Sequence, residues 1–159
     1  MATGTSIEFS SRTVQLDPSP IRTDWILEGN PVANYRLLST SADGRATTLF
    51  WECTAGRFNW FYDIDETVCL LEGSVTIKDE TGTVHRMCAG DTIFFPAGSR
   101  AEWSVETYVR KVAFCRAPLP KAILVAQRIY RAVRRMVPTG SAPSAAPAMF
   151  QDSKAPPAR

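Results

Sequence analysis

The chain is poor in the features that would assign it quickly. It has a single histidine, His85, in 159 residues. No Ser or Cys nucleophile with an Asp is placed beside it on spacing grounds, so no catalytic triad is predicted. The longest apolar runs, such as 122–126, fall far short of the roughly 20 residues a membrane-spanning helix needs. The start, MATGTSIEFSSR, has no basic stretch followed by an apolar one, so no secretory signal is expected and the cytoplasm is the default location. The four cysteines, at 53, 69, 88 and 115, form no CxxC, which excludes the usual zinc and redox spacings. Each lies in an apolar run, and buried, reduced thiols are expected. With 11 Pro and 9 Gly the chain is neither collagen-like nor wholly disordered. Its length and 45% apolar content fit one domain with a real core.

Charge is unevenly spread. Residues 1–119 carry 11 Lys and Arg against 15 Asp and Glu, whereas residues 120–159 carry 7 against 1. Such asymmetry marks an interaction segment.

Between Ala33 and Cys115 the sequence reads as nine short strands separated by turn residues, with no helix among them: 35–39, 47–53, 58–62, 67–72, 74–78, 84–87, 92–95, 101–105 and 109–115. Asp43-Gly44 is a hairpin signal between the first two. Ser74-Val75-Thr76-Ile77-Lys78 alternates one apolar and one wet face, whereas Thr92-Ile93-Phe94-Phe95 reads as buried on both sides. Regular strand and turn spacing predicts a β-sandwich or small barrel. Residues 1–32 form an extension expected to pack on the barrel or pair with an edge strand, through Trp25-Ile26-Leu27 above all. After Pro118 and Pro120 apolar residues recur every three or four positions, from Leu119 to Val137, with Lys121, Arg128, Arg131, Arg134 and Arg135 mostly opposite. This predicts a basic amphipathic helix over 118–137. The Ala/Pro/Ser-rich residues 138–159 read as a disordered tail.

Two blocks share the spacing of the cupin motifs, G(x)5HxH(x)3,4E(x)6G and G(x)5PxG(x)2H(x)3N. Glu66 is followed by six residues and then Gly73, and Gly90 to Gly98 matches G(x)5PxG at each fixed position. The finer wording, Phe58 to Asp63 before Glu66-Thr67, then Leu71-Glu72-Gly73, Phe95-Pro96-Ala97-Gly98 and Trp103 to Lys111, resembles the small cupins grouped with the (S)-ureidoglycine aminohydrolase cupin domain. The resemblance implies an all-β, double-stranded β-helix (jelly-roll) barrel over 33–117, often dimeric, with a cavity between its sheets.

In metal-bearing cupins two His and one Glu from the first motif and one His from the second converge on a divalent ion. Here only Glu66 remains. The imidazole positions fall at Asn59 and Phe61, or at Trp60 and Tyr62 with the shorter spacer, and at Ala101, with Val105 in place of the Asn. A transition-metal site takes three or four N, O or S ligands, so no metal and no other cofactor is expected. The predicted role is therefore a cupin binding a small organic molecule in its cavity, lined by Trp60, Tyr62, Glu66, Ala101 and Trp103; the alternative is that Trp60, Tyr62 and Trp103 are plain barrel core. Glu66 is the candidate acid/base, since an unpaired carboxylate in an aromatic cavity has a raised pKa; the alternative pairs it with a residue such as Arg57. Of Arg110 and Lys111, one faces the cavity mouth or both are surface-solvated.

Two other functions stay open: a non-catalytic scaffold acting through the basic helix, and a metal-dependent aminohydrolase-like enzyme with unconventional ligands. The expected partners are a small molecule and a second copy in a homodimer. No nucleic acid is expected. Peripheral membrane contact would run through residues 119–137.

Overall fold

The computed structural model describes residues 7–136; the predicted tail, 138–159, lies outside them. Eight strands follow one another before a single helix: β1 (Asp17–Pro18), β2 (Ile26–Gly29), β3 (Ala33–Thr40), β4 (Ala46–Phe61), β5 (Asp65–Asp79), β6 (Val84–Cys88), β7 (Thr92–Phe95), β8 (Arg100–Arg116) and α1 (Lys121–Met136). Thr23–Trp25 forms one 3-10 turn. All strand pairs are antiparallel, in the order β1-β3-β4-β8-β5-β6, with β2 on β4 and β7 on β5. This is an all-β cupin barrel.

The nine strands expected from the sequence become fewer because three pairs of them are continuous. β4, β5 and β8 have 16, 15 and 17 residues, well beyond the usual 3–10. β8 keeps β4 and β5 as neighbours throughout, whereas β4 and β5 each change their other neighbour half-way. The first half of β4 pairs with β3 and the second with β2; the first half of β5 pairs with β7 and the second with β6. Register breaks sit at the change, between Thr54 and Gly56 on β4 and between Leu70 and Thr76 on β5. Bulges of this kind bend a strand and let it serve two walls. One wall is therefore β1-β3-β4-β8-β5-β7 and the other β2-β4-β8-β5-β6, with β8 central to both. Glycine makes the bend feasible: Gly73 has φ +75°, and a Cβ there would lie 1.9 Å from the Tyr108 carbonyl oxygen. The glycine that closes the first motif is thus a close-approach residue.

Alternation decides what enters the core. On β8 Ala101, Trp103, Val105, Val109, Lys111, Ala113 and Cys115 are buried, and on β5 Glu66, Val68, Leu70, Val75 and Ile77. Phe95 and Met87 add to them from β7 and β6. The expectation that β7 is buried on both sides fails at Phe94, which is 57% exposed, because β7 is an edge strand whose outer face nothing covers among the described residues. The cysteines also divide: Cys53 and Cys115 are buried, Cys69 is half-buried and Cys88 exposed.

The N-terminal extension reaches the barrel at several points. β1 pairs with β3 and β2 with β4, and Ile21 joins the core. Arg110 donates to the carbonyls of Arg12 and Val14, at 3.0 and 3.3 Å. α1 belongs to a second compact unit. No described helix is long and apolar enough to cross a membrane.

Candidate functional site

The sequence leaves open which face of residues 58–62 points inward. Phe58 and Tyr62 are buried and Phe61 is exposed, so Phe58, Trp60 and Tyr62 form the inner row and Asn59 and Phe61 the outer one. Of the two motif spacings, the shorter therefore describes this barrel: Trp60, Tyr62 and Ala101 occupy the positions where imidazoles would stand.

The cavity expected between the walls is filled. Trp103, Tyr62 and Phe58 are 1%, 3% and 0% exposed, so their rings pack almost wholly against other side chains. The ring of Tyr62 stacks on Phe95 with centroids 4.2 Å apart, and Trp103 stacks on Phe58 at 6.2 Å. Trp103 Nε1 donates to the Tyr62 hydroxyl at 3.0 Å. Burial, and then the negative charge of Glu66, hold that hydroxyl's pKa well above its ordinary value, so Tyr62 stays neutral. All four tryptophans of the chain join in one cluster. Trp51 meets Trp60 at 5.7 Å and Trp103 at 5.8 Å, and Trp25, from the 3-10 turn, meets Trp60 at 5.5 Å. Pairs of this geometry contribute about 0.5–1.5 kcal/mol each beyond area burial.

Glu66 is neither unpaired nor bound to Arg57. Lys111 Nζ donates to Glu66 Oε1 at 2.6 Å, with side-chain exposures of 5% and 11%. Lys111, which the sequence left at the cavity mouth or on the surface with Arg110, lies inside the barrel instead. Lysine is almost never fully buried, but its parity with Val109, Ala113 and Cys115 is an inward signal. Its register partner on β5 is Leu70, and that of Glu66 on β8 is Cys115, so the side chain runs along one wall to reach the carboxylate. Its ammonium lies over the rings of Trp103, Trp51 and Trp60, at 4.8, 5.0 and 5.9 Å. Trp51 Nε1, in the same cluster, is buried without a hydrogen-bond partner among the described residues.

Arg110 and Arg57 belong outside. Arg110 binds Glu52 Oε2 at 2.7 Å; Tyr108 donates to the same oxygen and Asn34 to the other. Arg57 pairs with Glu28 and Glu102.

The interior does not fit a divalent ion. Its one carboxylate is already bound to an ammonium, and the other motif positions offer indole, phenol and methyl groups. Among the described residues no three His, Cys, Asp or Glu side chains cluster as a metal-binding group. The acid expected to be free for acid–base work has its charge engaged.

Concave surface lies outside this cluster, in several clefts of about 250–360 Å³, one of them at one end of the barrel. A cleft of about 300 Å³ is lined by Ile77, Ile93, Phe95 and Ala101, with Asp79, His85 and Arg100 among its polar groups. Ala101 alone of the five predicted pocket residues borders it; Trp60, Tyr62, Glu66 and Trp103 come together in the closed interior. Asp79 is consumed by its own turn. Its Oδ1 accepts from the Thr81 hydroxyl at 2.6 Å and from the Thr81 and Thr83 amides at 2.9 Å, and its Oδ2 lies 3.3 Å from His85 Nε2. These bonds, the Thr81 hydroxyl foremost, hold its pKa down at about 2. Arg100 lies over the Phe61 ring at 5.9 Å and makes no side-chain hydrogen bond or ion pair among the described residues.

A family model described as EutQ-like cupin domain matches residues 40–113. Among solved structures, a protein of unknown function of the DUF861 family from Pseudomonas syringae pv. tomato is 25% identical, with 66% of this chain and 46% of that one covered and a TM-score of 0.61. The Clostridium difficile EutQ protein is also 25% identical, over 66% of this chain and 82% of that one, with a TM-score of 0.53. A DUF861 family protein from Thermotoga maritima is 39% identical over 40% of this chain and 73% of that one, with a TM-score of 0.39. No curated protein matches the sequence. The family match falls on β4 to β8, the strands that build both walls, and the fold is that of the cupins.

Proposed function

We propose that this protein is a metal-independent cupin that binds a small organic acid in the cleft at the end of its barrel. One observation carries the reading: Arg100 holds a guanidinium at an apolar floor and is in no ion pair among the described residues, although Asp79, tied up by its own turn, and Glu80 share the lining. Ligand sites are mostly apolar concavities with a few placed polar groups, about 300–1,000 Å³ in volume, and this cleft stands at the small end of that range. An apolar body would rest on Ile77, Ile93, Phe95 and Ala101, and a carboxylate would take the two parallel N–H donors of the guanidinium.

Kinship with the (S)-ureidoglycine aminohydrolase cupin domain is part of this reading for the barrel but not for the reaction. That activity uses a metal, and the donors around Glu66 do not suit one. A thermal-shift panel tests the proposal with short-chain and aromatic monocarboxylates set against the matching alcohols. Carboxylates should raise the melting temperature, and Arg100→Ala should abolish the rise. Equal shifts with the alcohols, or a rise unchanged in Arg100→Ala, would sink it.

A second reading, a scaffold acting through the basic helix, draws support from the filled interior. It predicts that removing residues 119–159 abolishes self-association or partner binding.

A further inference from the structure

We propose that Glu66, Trp51, Trp60 and Trp103 form a box for one monovalent organic cation, and that the protein fills it from within with the ammonium of Lys111. This rests on the barrel interior and is independent of the cleft at its end.

The box has three properties of an ammonium site. It has one carboxylate, with Oε1 at 2.6 Å from Nζ, so it neutralises a single positive charge. It has three indole rings between 4.8 and 5.9 Å from that nitrogen, within the roughly 6 Å at which a ring quadrupole attracts a cation. Glu66 is also the ammonium's one hydrogen-bond acceptor among the described residues, so its other N–H groups face the rings. A divalent ion would lack ligands there, and an uncharged group would strand the carboxylate. Residues from both walls take part: Lys111, Glu66 and Trp51 from one, Trp60 and Trp103 from the other.

Packing alone gives no reason for this arrangement. A buried ion pair is often no more stable than apolar side chains of the same volume, and here the orphaned Trp51 indole N–H adds a desolvation cost. What the geometry selects is a positive charge on an alkyl stem. With the tether cut at Cβ, the matching free ligand is a primary alkylammonium of three carbons.

The test is chemical rescue of Lys111→Ala, with n-propylammonium as probe, n-propanol as the uncharged control and sodium chloride at equal ionic strength. Saturating n-propylammonium should raise the melting temperature of the variant by about 5 °C or more and leave the parent unchanged. The rise should vanish in the Glu66→Gln/Lys111→Ala double variant. Rescue by n-propanol, no rescue at all in a folded variant, or equal rescue in the double variant would overturn the proposal.

The parent protein supplies a second arm. In its NMR spectrum one of the four lysines should show Cε protons moved upfield by ring currents and ammonium protons in slow exchange, both absent in Lys111→Met. If all four resemble solvated lysine, the box is not occupied and the proposal fails. This arm decides alone if Lys111→Ala does not fold.

Discussion

Arg110 and Lys111 are neighbours on one strand and live in opposite worlds. Arg110 lies on the outer side of β8, where Glu52 and the carbonyls of Arg12 and Val14 share its donors and Tyr108 donates to the same Glu52 oxygen. Lys111, one residue on, enters the core and has Glu66 and three indoles. Strand pleating forces adjacent side chains to opposite faces. The difference teaches that charge alone does not tell where a side chain lies; the parity of the strand does, and a partner must then be provided.

The comparison breaks most visibly on removing the two cations. Lys111→Met leaves the Glu66 carboxylate buried without a counter-charge and should cost about 3–5 kcal/mol. Arg110→Met leaves Glu52 with Asn34 and Tyr108 and should cost about 1–3 kcal/mol. Urea denaturation measures both, and equal losses would abolish the distinction. Adding Glu66→Leu to Lys111→Met should recover most of the larger loss.

Thiol chemistry sharpens the contrast between interior and exterior. Cys88, exposed at the end of β6, should react with a disulfide reagent at once at pH 8. Cys53 should react only as fast as the protein unfolds, since burial pushes its thiol pKa up to about 12 and the nearby Lys111 charge offsets this only in part. Mass spectrometry of the labelled protein over time checks the order.

The smallest effect belongs to the exposed turn after β5. Asp79 has its pKa held at about 2 against an ordinary 3.8. A lowered folded-state pKa gives a stabilisation that is present above the ordinary value and lost as the pH falls through the folded one. The turn should therefore be insensitive to pH above about 5 and loosen only towards pH 2. A carboxyl titration by NMR with a midpoint near 3.8 for Asp79 would contradict it.

Much of the fold was legible in the sequence, for physical reasons that also explain the gaps. The half-strands 47–53 and 58–62, 67–72 and 74–78, and 101–105 and 109–115 were each visible as alternating or apolar runs. Their fusion into β4, β5 and β8 was not, because Gly56 and Gly73 read as turn residues when they are bends. The Gly90 to Gly98 frame pointed to the right family of folds. At the site, Glu66 was found from motif spacing, and Trp60, Tyr62 and Trp103 gather near it inside the barrel. Lys111 was singled out with Arg110 for the cavity mouth or the surface, but its pairing with Glu66 was not foreseen, since a Lys in a strand reads most simply as a solvated face. The filling of the cavity depends on how four tryptophans, distant in sequence, mesh together, which no local pattern encodes.

The central place of β8 has a further consequence, for synthesis of the chain. β4 and β5 both need β8 as a hydrogen-bonding neighbour, yet it is the last strand made. Until residue 116 has left the ribosome, neither wall has its middle, and the unpaired edges of two long strands must wait with the indoles uncovered. Barrel assembly should therefore come late and all at once, as expected when most contacts join distant parts of a chain.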